Sequence, residues 1–350
     1  MRVLVLGGTG AIGSHIVHEL ANGGCEVVVT SRTHRESRAS VSYRQGNARE
    51  LQFVKELLTE RWDAIVDFMV YTTEEFRERV YLLLESTKQY LFLSSARVFA
   101  ASKDPLTESS ARLKDVIADE EYLLSDEYAL SKARQEDLLK SSGCNWTIIR
   151  PYITYDENRL QLGVMEKEGW LYRAMKGRSI VVSKELLSHF TTLTYGGDVA
   201  DSIVSLIGNP AAQTESYNIT CAVNVQWTDV LDNYVKTLSA ILHRPVKVVV
   251  TQDEMYIKYG AKYQVLYDRF YDRVFDNSKL LQSIPQKQFT GWRSGLSSCI
   301  RTFVEKPNFG FINWAMEARK DRVAGEFTSL SEIPGVKNKI KYLICRFTNR

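Results

Sequence analysis

The chain opens on a pattern that leaves few choices of fold. The apolar run Arg2-Val-Leu-Val-Leu6 leads into Gly7-Gly-Thr-Gly10-Ala-Ile-Gly13, and then Ile12, Ile16, Val17 and Leu20 recur at helical spacing. A short, continuously apolar strand is buried on both faces, as in a parallel sheet. Each glycine at its end serves a different need. Gly7 permits a tight turn, Gly10 lets the backbone approach a pyrophosphate, and Gly13 lets the helix pack closely. The helix N-terminus then offers free N–H groups to negative charge. Gly7, Thr9, Gly10, Ala11, Ile12 and Gly13 are therefore the expected cradle of a dinucleotide.

The rest of the first half repeats this unit. GGCEVVVTSR (23–32), VSYRQG (41–46), WDAIVDFMV (62–70), QYLFLSS (89–95) and CNWTIIR (144–150) read as strands. Residues 48–61, 74–87 and 127–143 read as helices between them. Such alternation implies a parallel sheet with right-handed crossovers. The second half is less regular. It holds short strand-like runs at 180–183, 190–195, 217–220 and 246–251, a helix at 196–208 and a tyrosine-rich run at 256–275, read as packing rather than a stacking platform. The expected architecture is α/β: a doubly wound, Rossmann-type parallel sheet with a smaller mixed α/β C-terminal substrate lobe. Residues 1–155 form the dinucleotide-binding domain, with elements from about 190–220 returning to it. Residues 156–305 form the lobe, and 306–350 an extension of unassigned role.

Composition narrows the partners. A net charge of +3 over 350 residues gives no global basic field, so nucleic acid is not an expected partner. Five cysteines, odd in number and without CxxC spacing, read as reduced thiols of a cytoplasmic protein. Five scattered histidines argue against a metal site. No apolar run approaches the roughly 18 residues that span a bilayer, so stable membrane insertion is not expected. The tail is basic through Lys337, Lys339, Lys341, Arg346 and Arg350 and reads as a solvated face, with an acidic partner or a membrane surface as the other reading.

Two constellations carry chemistry. At the tip of the second strand an acidic residue selects NAD, whereas an arginine accommodates a 2′-phosphate. Here Thr30-Ser31-Arg32-Thr33-His34-Arg35 places no carboxylate before Glu36. Ser31 and Arg32 therefore favour NADP(H), with NAD(H) left open. Further on, Tyr128-Ala-Leu-Ser-Lys132 sets a phenol and an ammonium one helical turn apart. A phenol titrates near about 10, and a nearby ammonium stabilises its anion. Tyr128 is then suited to exchange a proton with a substrate oxygen while Lys132 tunes it and contacts the nicotinamide ribose. A second such pair, Tyr172 and Lys176, lies beyond the sixth strand and reads as structural. Ser94 and Ser95 end the strand LFLSS, at the carboxyl edge where ligands bind.

Together GGTGAIG (7–13), SSARVFA (94–100), YALSK (128–132), RPYITY (150–155) and GGDVADSI (196–203) resemble the extended short-chain dehydrogenase/reductase family, in its NAD(P)-dependent sugar-nucleotide epimerase/dehydratase branch. The resemblance covers about residues 1–305. It implies Ser95, Tyr128 and Lys132 as catalytic residues. It implies Asn47, Ser94 and Pro151 beside the cofactor, and Arg97 and Tyr152 towards a nucleotide-sugar substrate; His189, just before the strand FTTLTY, reads as facing the substrate cleft, with a structural role as the other reading. Asp198 resembles the family's helix-starting aspartate, with an N-cap role. A homodimer is also implied. Asn47 stands where an adenine-contacting aspartate is common, Ile153 where a phosphate-contacting asparagine is common, and DAIVDFMVY replaces the usual His-Leu-Ala-Ala.

Dehydratases of this family place an acid pair after the catalytic hydroxyl. Ala96 and Arg97 follow Ser95 here, so dehydration is not expected. The leading expectation is NADPH-dependent reduction of a keto group on a nucleotide-linked sugar. Epimerisation at the same carbon is the alternative. A reading of another class is a non-catalytic NADP(H)-binding sensor or scaffold, a role in which relatives usually lose the tyrosine or lysine that this chain keeps.

Overall fold

The computed structural model describes residues 1–38 and 40–348. Arg350 of the basic tail lies outside them. The chain divides into two bodies.

The first body comprises Met1–Thr154, Thr192–Val223 and Val274–Thr290. Its centre is a sheet of seven strands: β1 (Arg2–Leu6), β2 (Glu26–Ser31), β3 (Val41–Gln45), β4 (Trp62–Asp67), β5 (Thr87–Leu93), β6 (Trp146–Pro151) and β7 (Glu215–Ile219). The strand order is β7-β6-β5-β4-β1-β2-β3, and every pairing is parallel. Register is tight at the centre, where Leu4 lies opposite Val28 on one side and Ile65 on the other. Successive β1 side chains point to opposite faces, as strand geometry requires. Val3 and Val5 join Ile16, Val27, Val29 and Ile203 in one apolar layer, and Leu4 and Leu6 join Val28, Ile65, Phe76 and Leu139 in the other. Both faces are thus covered, which is why β1 reads as an unbroken apolar run.

One helix packs in each layer beside the strand ends, α1 (Gly13–Asn22) in the first and α2 (Tyr128–Lys140) in the second. Two other helices differ from the sequence expectation. The one expected over 48–61 spans only Leu51–Leu57. Asn47 holds the preceding turn by accepting the Arg49 N–H at 3.1 Å, and the Trp62 indole N–H occupies the Leu57 carbonyl oxygen at 3.2 Å. The helix expected over 74–87 is broken into Thr73–Arg77 and Val80–Glu85. The cause is Arg79, whose buried side chain donates to the Glu75 carbonyl oxygen at 2.6 Å. A continuous helix would give that oxygen to the Arg79 backbone N–H, which turns to Phe76 instead. Asp198 also differs: the helix Gly196–Leu206 has Tyr195 as its N-cap. Asp198, two residues inside, accepts the Thr290 N–H at 2.7 Å and pairs with Lys287 at 3.1 Å.

The second body comprises Tyr155–Thr191, Asn224–Arg273 and Gly291–Arg350. Strands Ile180–Ser183 and Val248–Thr251 pair in parallel. Around them lie the helices Lys167–Met175, Trp227–Leu242, Trp292–Glu305, Trp314–Ala324 and Val336–Phe347. Trp170 stacks on Tyr234 at 4.3 Å. The fully buried Arg173 binds Asp321 at 2.7 Å, Glu317 at 3.0 Å and Glu326 at 3.0 Å, fastening the last 45 or so residues to this body. Tyr172 donates its hydroxyl to Glu332 at 2.6 Å and packs edge-on against Phe309 and Trp314. The five cysteines are all free thiols.

Candidate active site at the carboxyl edge of the sheet

In a parallel sheet all strands end on one edge, so residues far apart in sequence meet there. Gly7 follows β1, Ser31 ends β2, Asn47 follows β3, Asp67 ends β4, Ser94 and Ser95 follow β5, and Pro151 ends β6. Every cofactor residue expected from the strands therefore shares this edge.

The glycine loop has the shape a pyrophosphate needs. Gly7 has φ +75°, a conformation that favours glycine, and its N–H donates to the Thr30 hydroxyl at 2.9 Å. A Cβ on Gly13 would stand 2.7 Å from the Gly8 backbone, so helix and loop touch directly. A Cβ on Gly10 would meet nothing within 4 Å, which leaves that side of the loop open. Ile12 is the N-cap of α1 and makes no side-chain capping bond, and Thr9 and Ala11 complete the turn. The Ser14 N–H is taken by the Gly10 carbonyl oxygen at 3.0 Å, so the open Gly10 side of the loop and the helix start without a side-chain cap are what fit a dinucleotide. At the end of β2 the Ser31 hydroxyl donates to the Thr33 carbonyl oxygen at 2.8 Å. Arg32 is exposed beyond it, without an ion pair among the described residues.

α2 brings the phenol and ammonium to the same edge. It is stitched to the segment after β4: Ser131 and Gln135 both donate to the Tyr71 carbonyl oxygen, at 3.0 and 2.9 Å. Lys132 donates to the Met69 carbonyl oxygen at 3.2 Å, and its Nζ lies 4.4 Å from the Phe92 ring centre. Burial lowers its pKa to about 8, while the negative charges of Asp67 and Glu136 oppose the fall. Asp67 is fully buried; it accepts the Tyr90 hydroxyl at 2.7 Å and the Met69 N–H at 2.8 Å, and burial pushes its pKa up.

Arg97 joins Ser95 to Tyr128. Its backbone N–H donates to the Ser95 hydroxyl oxygen at 3.2 Å. Its guanidinium lies 5.4 Å from the Tyr128 ring centre and binds Glu127 at 2.6 Å. Glu127 is itself the N-cap of α2 and accepts the Ala129 N–H at 2.7 Å. Ser94 differs from its neighbour: it is buried and donates to Glu136 at 2.6 Å. Tyr152 is buried against Phe275, with ring centres 5.2 Å apart. His189 belongs to the second body, where it contacts Glu185 and Asp272 and stacks on Phe270.

Sequence reading missed Asp67, Glu127 and Glu136. The available signal was a charge inside an apolar run, as in AIVDFMV, or on the buried side of a helix, where only a partner makes it tolerable.

Comparison with known proteins bears on the family and the fold. A model of the NAD-dependent epimerase/dehydratase family matches residues 3–220. The chloroplast stem-loop binding protein of 41 kDa b from Arabidopsis thaliana is 26% identical over 238 residues, 63% of this chain. The match spans 58% of the length of that relative. UDP-glucose 4-epimerase from Bifidobacterium longum, solved with NAD+ and UDP, superposes with a TM-score of 0.66 at 17% identity, over 88% of this chain and 99% of its own. The dTDP-glucose 4,6-dehydratase of Bacillus anthracis, solved with NAD, gives 0.66 at 15% identity, over 87% and 97%. Such likeness at low identity speaks for the fold, and the family match speaks for descent. This chain belongs to the NAD-dependent epimerase/dehydratase family.

Proposed function

We propose that this chain is a cytoplasmic, homodimeric enzyme that reduces a keto group on a nucleotide-linked sugar with NADPH, its first body holding the cofactor. The observation that carries the catalytic reading is the Ser95–Arg97–Tyr128 linkage at the carboxyl edge, with Lys132 one turn along α2. The exposed Arg32, with no carboxylate near it in sequence before Glu36, supports NADPH over NADH.

The cofactor, when bound, supplies a hydride to the carbonyl carbon. The Tyr128 hydroxyl delivers its proton to the carbonyl oxygen. The Arg97 N–H occupies a lone pair of the Ser95 oxygen, which leaves the Ser95 hydroxyl proton to bond that same carbonyl oxygen. The Lys132 ammonium favours the phenolate left on Tyr128, and the Arg97 guanidinium over the ring acts in the same sense. Asn47, Ser94 and Pro151 would line the cofactor's side of the edge, and Tyr152 and His189 are offered as substrate contacts. Ala96 and Arg97 supply no carboxylate after Ser95, which argues against dehydration.

The test is a panel of 4-keto sugars linked to UDP or dTDP, incubated with NADPH and followed by loss of cofactor absorbance. Turnover that Tyr128→Phe lowers by roughly 10²–10⁴-fold supports the reading. Stereochemical inversion of UDP-sugars without net NADPH consumption replaces it with an epimerase. Tight NADPH binding with silence across the panel replaces it with a sensor.

A further inference from the structure

We propose that the helix Val336–Phe347 docks on the surface of an anionic membrane. Four apolar side chains of this helix face solvent: Val336 at 72% exposure, Ile340 at 52%, Ile344 at 47% and Phe347 at 69%. At about 100° per residue they form one stripe, while Tyr342 and Cys345 on the opposite side are buried in the body. Lys337 and Lys341 flank the stripe on one side, Lys339 and Arg346 on the other. The helix carries no acidic residue. Lys337, Lys339 and Lys341 make no ion pair among the described residues. Arg346 donates to the Glu326 carbonyl oxygen at 3.1 Å, and its guanidinium lies 5.5 Å from the Phe347 ring centre.

Charge and apolarity together select the occupant. A second copy of the helix would set lysine against lysine across the contact. A nucleic acid would engage the cations and leave four apolar side chains in water. An anionic lipid interface accepts both, since the apolar stripe sinks to the acyl boundary while the flanking lysines reach the headgroups. The contact is peripheral, because no helix among the described residues is long and apolar enough to cross a bilayer.

The experiment is co-sedimentation of the full chain with vesicles of equimolar phosphatidylserine and phosphatidylcholine, against phosphatidylcholine alone. The protein is expected to pellet with the anionic vesicles and to be released by salt. The pair Lys337→Glu and Lys341→Glu is expected to weaken binding by at least about tenfold, and the pair Ile340→Asp and Phe347→Asp to abolish it. All four side chains are exposed, so thermal unfolding should match the parent and exclude misfolding. Equal binding to neutral vesicles, or unchanged binding by the Ile340→Asp/Phe347→Asp variant, would overturn the proposal. So would a dimer that those apolar substitutions split while anionic vesicles are left unbound. Capture of a stem-loop RNA through Lys337 and Lys341 with no vesicle binding would also overturn it.

Discussion

Glu136 holds Arg150 through both carboxylate oxygens, at 2.8 and 2.7 Å, with neither side chain more than 1% exposed. Ser94 gives its hydroxyl proton to the same carboxylate, and the Arg150 guanidinium lies over Phe99 at 4.9 Å. One buried pair thus ties α2 to β6 and to the end of β5, which are the three elements that position Tyr128, Pro151 and Ser95.

Glu136→Gln leaves Arg150 buried opposite a neutral amide, with its partner's charge gone and one of the two acceptor oxygens replaced by a donor. Breaking a buried pair from one side destabilises by about 3–5 kcal/mol. The expected outcome is a melting temperature lowered by several degrees, read by calorimetry. An unchanged melting temperature would show that the pair carries little stability.

The Lys132 ammonium is buried against Met69 with a pKa near 8. Its folded value lies below the unfolded value of about 10.4, so the unfolded chain binds more protons between the two and stability rises with pH across that window. Below pH 8 both states are charged, and burial costs about 3 kcal/mol. Lys132→Met is therefore expected to be at least as stable as the parent near pH 7, while the parent gains on it between about pH 8 and 10. Turnover, if it uses the ammonium, falls as pH rises through about 8. Denaturant titrations at several pH values check the first expectation and a pH–rate profile the second.

Arg32→Asp replaces the cation at the β2 tip with the group that accepts ribose hydroxyls. NADPH affinity is expected to fall by about tenfold or more, through loss of a charge-assisted bond, and NADH affinity to rise. Titrating both cofactors into both proteins measures it. Equal NADPH affinity in the variant would remove Arg32 from cofactor selection.

Arg173→Met strips Asp321, Glu317 and Glu326 of their shared cation. Arg173 and hydrogen bonds from Thr328 and Tyr342 hold the Asp321 pKa below the usual carboxylate range, against the desolvation that pushes it up. A lowered folded pKa adds stability above the unfolded value and loses it as pH falls through the folded one. The variant should lose about 3–5 kcal/mol at neutral pH, and the gap to the parent should narrow below about pH 4 as Asp321 protonates. Intrinsic tryptophan fluorescence, to which Trp314 on the helix of Glu317 and Asp321 contributes, reports the loosening.

The sheet was legible because periodicity reports burial: runs such as RVLVL and QYLFLSS have no polar face to spare. The glycine loop was legible because its spacing has few other uses. What escaped was polar burial. α2 buries Ser131, Lys132, Gln135 and Glu136, so its buried side does not look apolar and the sequence pattern hides it. The break at Arg79 escaped for a related reason: a side chain that captures a helix carbonyl leaves no trace in periodicity. Asp198 was expected as a cap because it stands near a helix start, whereas its partners Lys287 and Thr290 lie some 90 residues downstream.

The chain passes between its two bodies five times, after residues 154, 191, 223, 273 and 290. The family match ends at 220, yet the first body is not closed until Val274–Thr290 arrives with the backbone N–H and ammonium that satisfy Asp198. A ribosome must therefore release the chain through Thr290 before the nucleotide-binding body can reach its final form. A fragment cut at the edge of the sequence match would leave Asp198 without these partners and would remove Ile284 from the apolar layer that holds Val3 and Val5. Inheritance and folding draw their borders at different residues in this molecule.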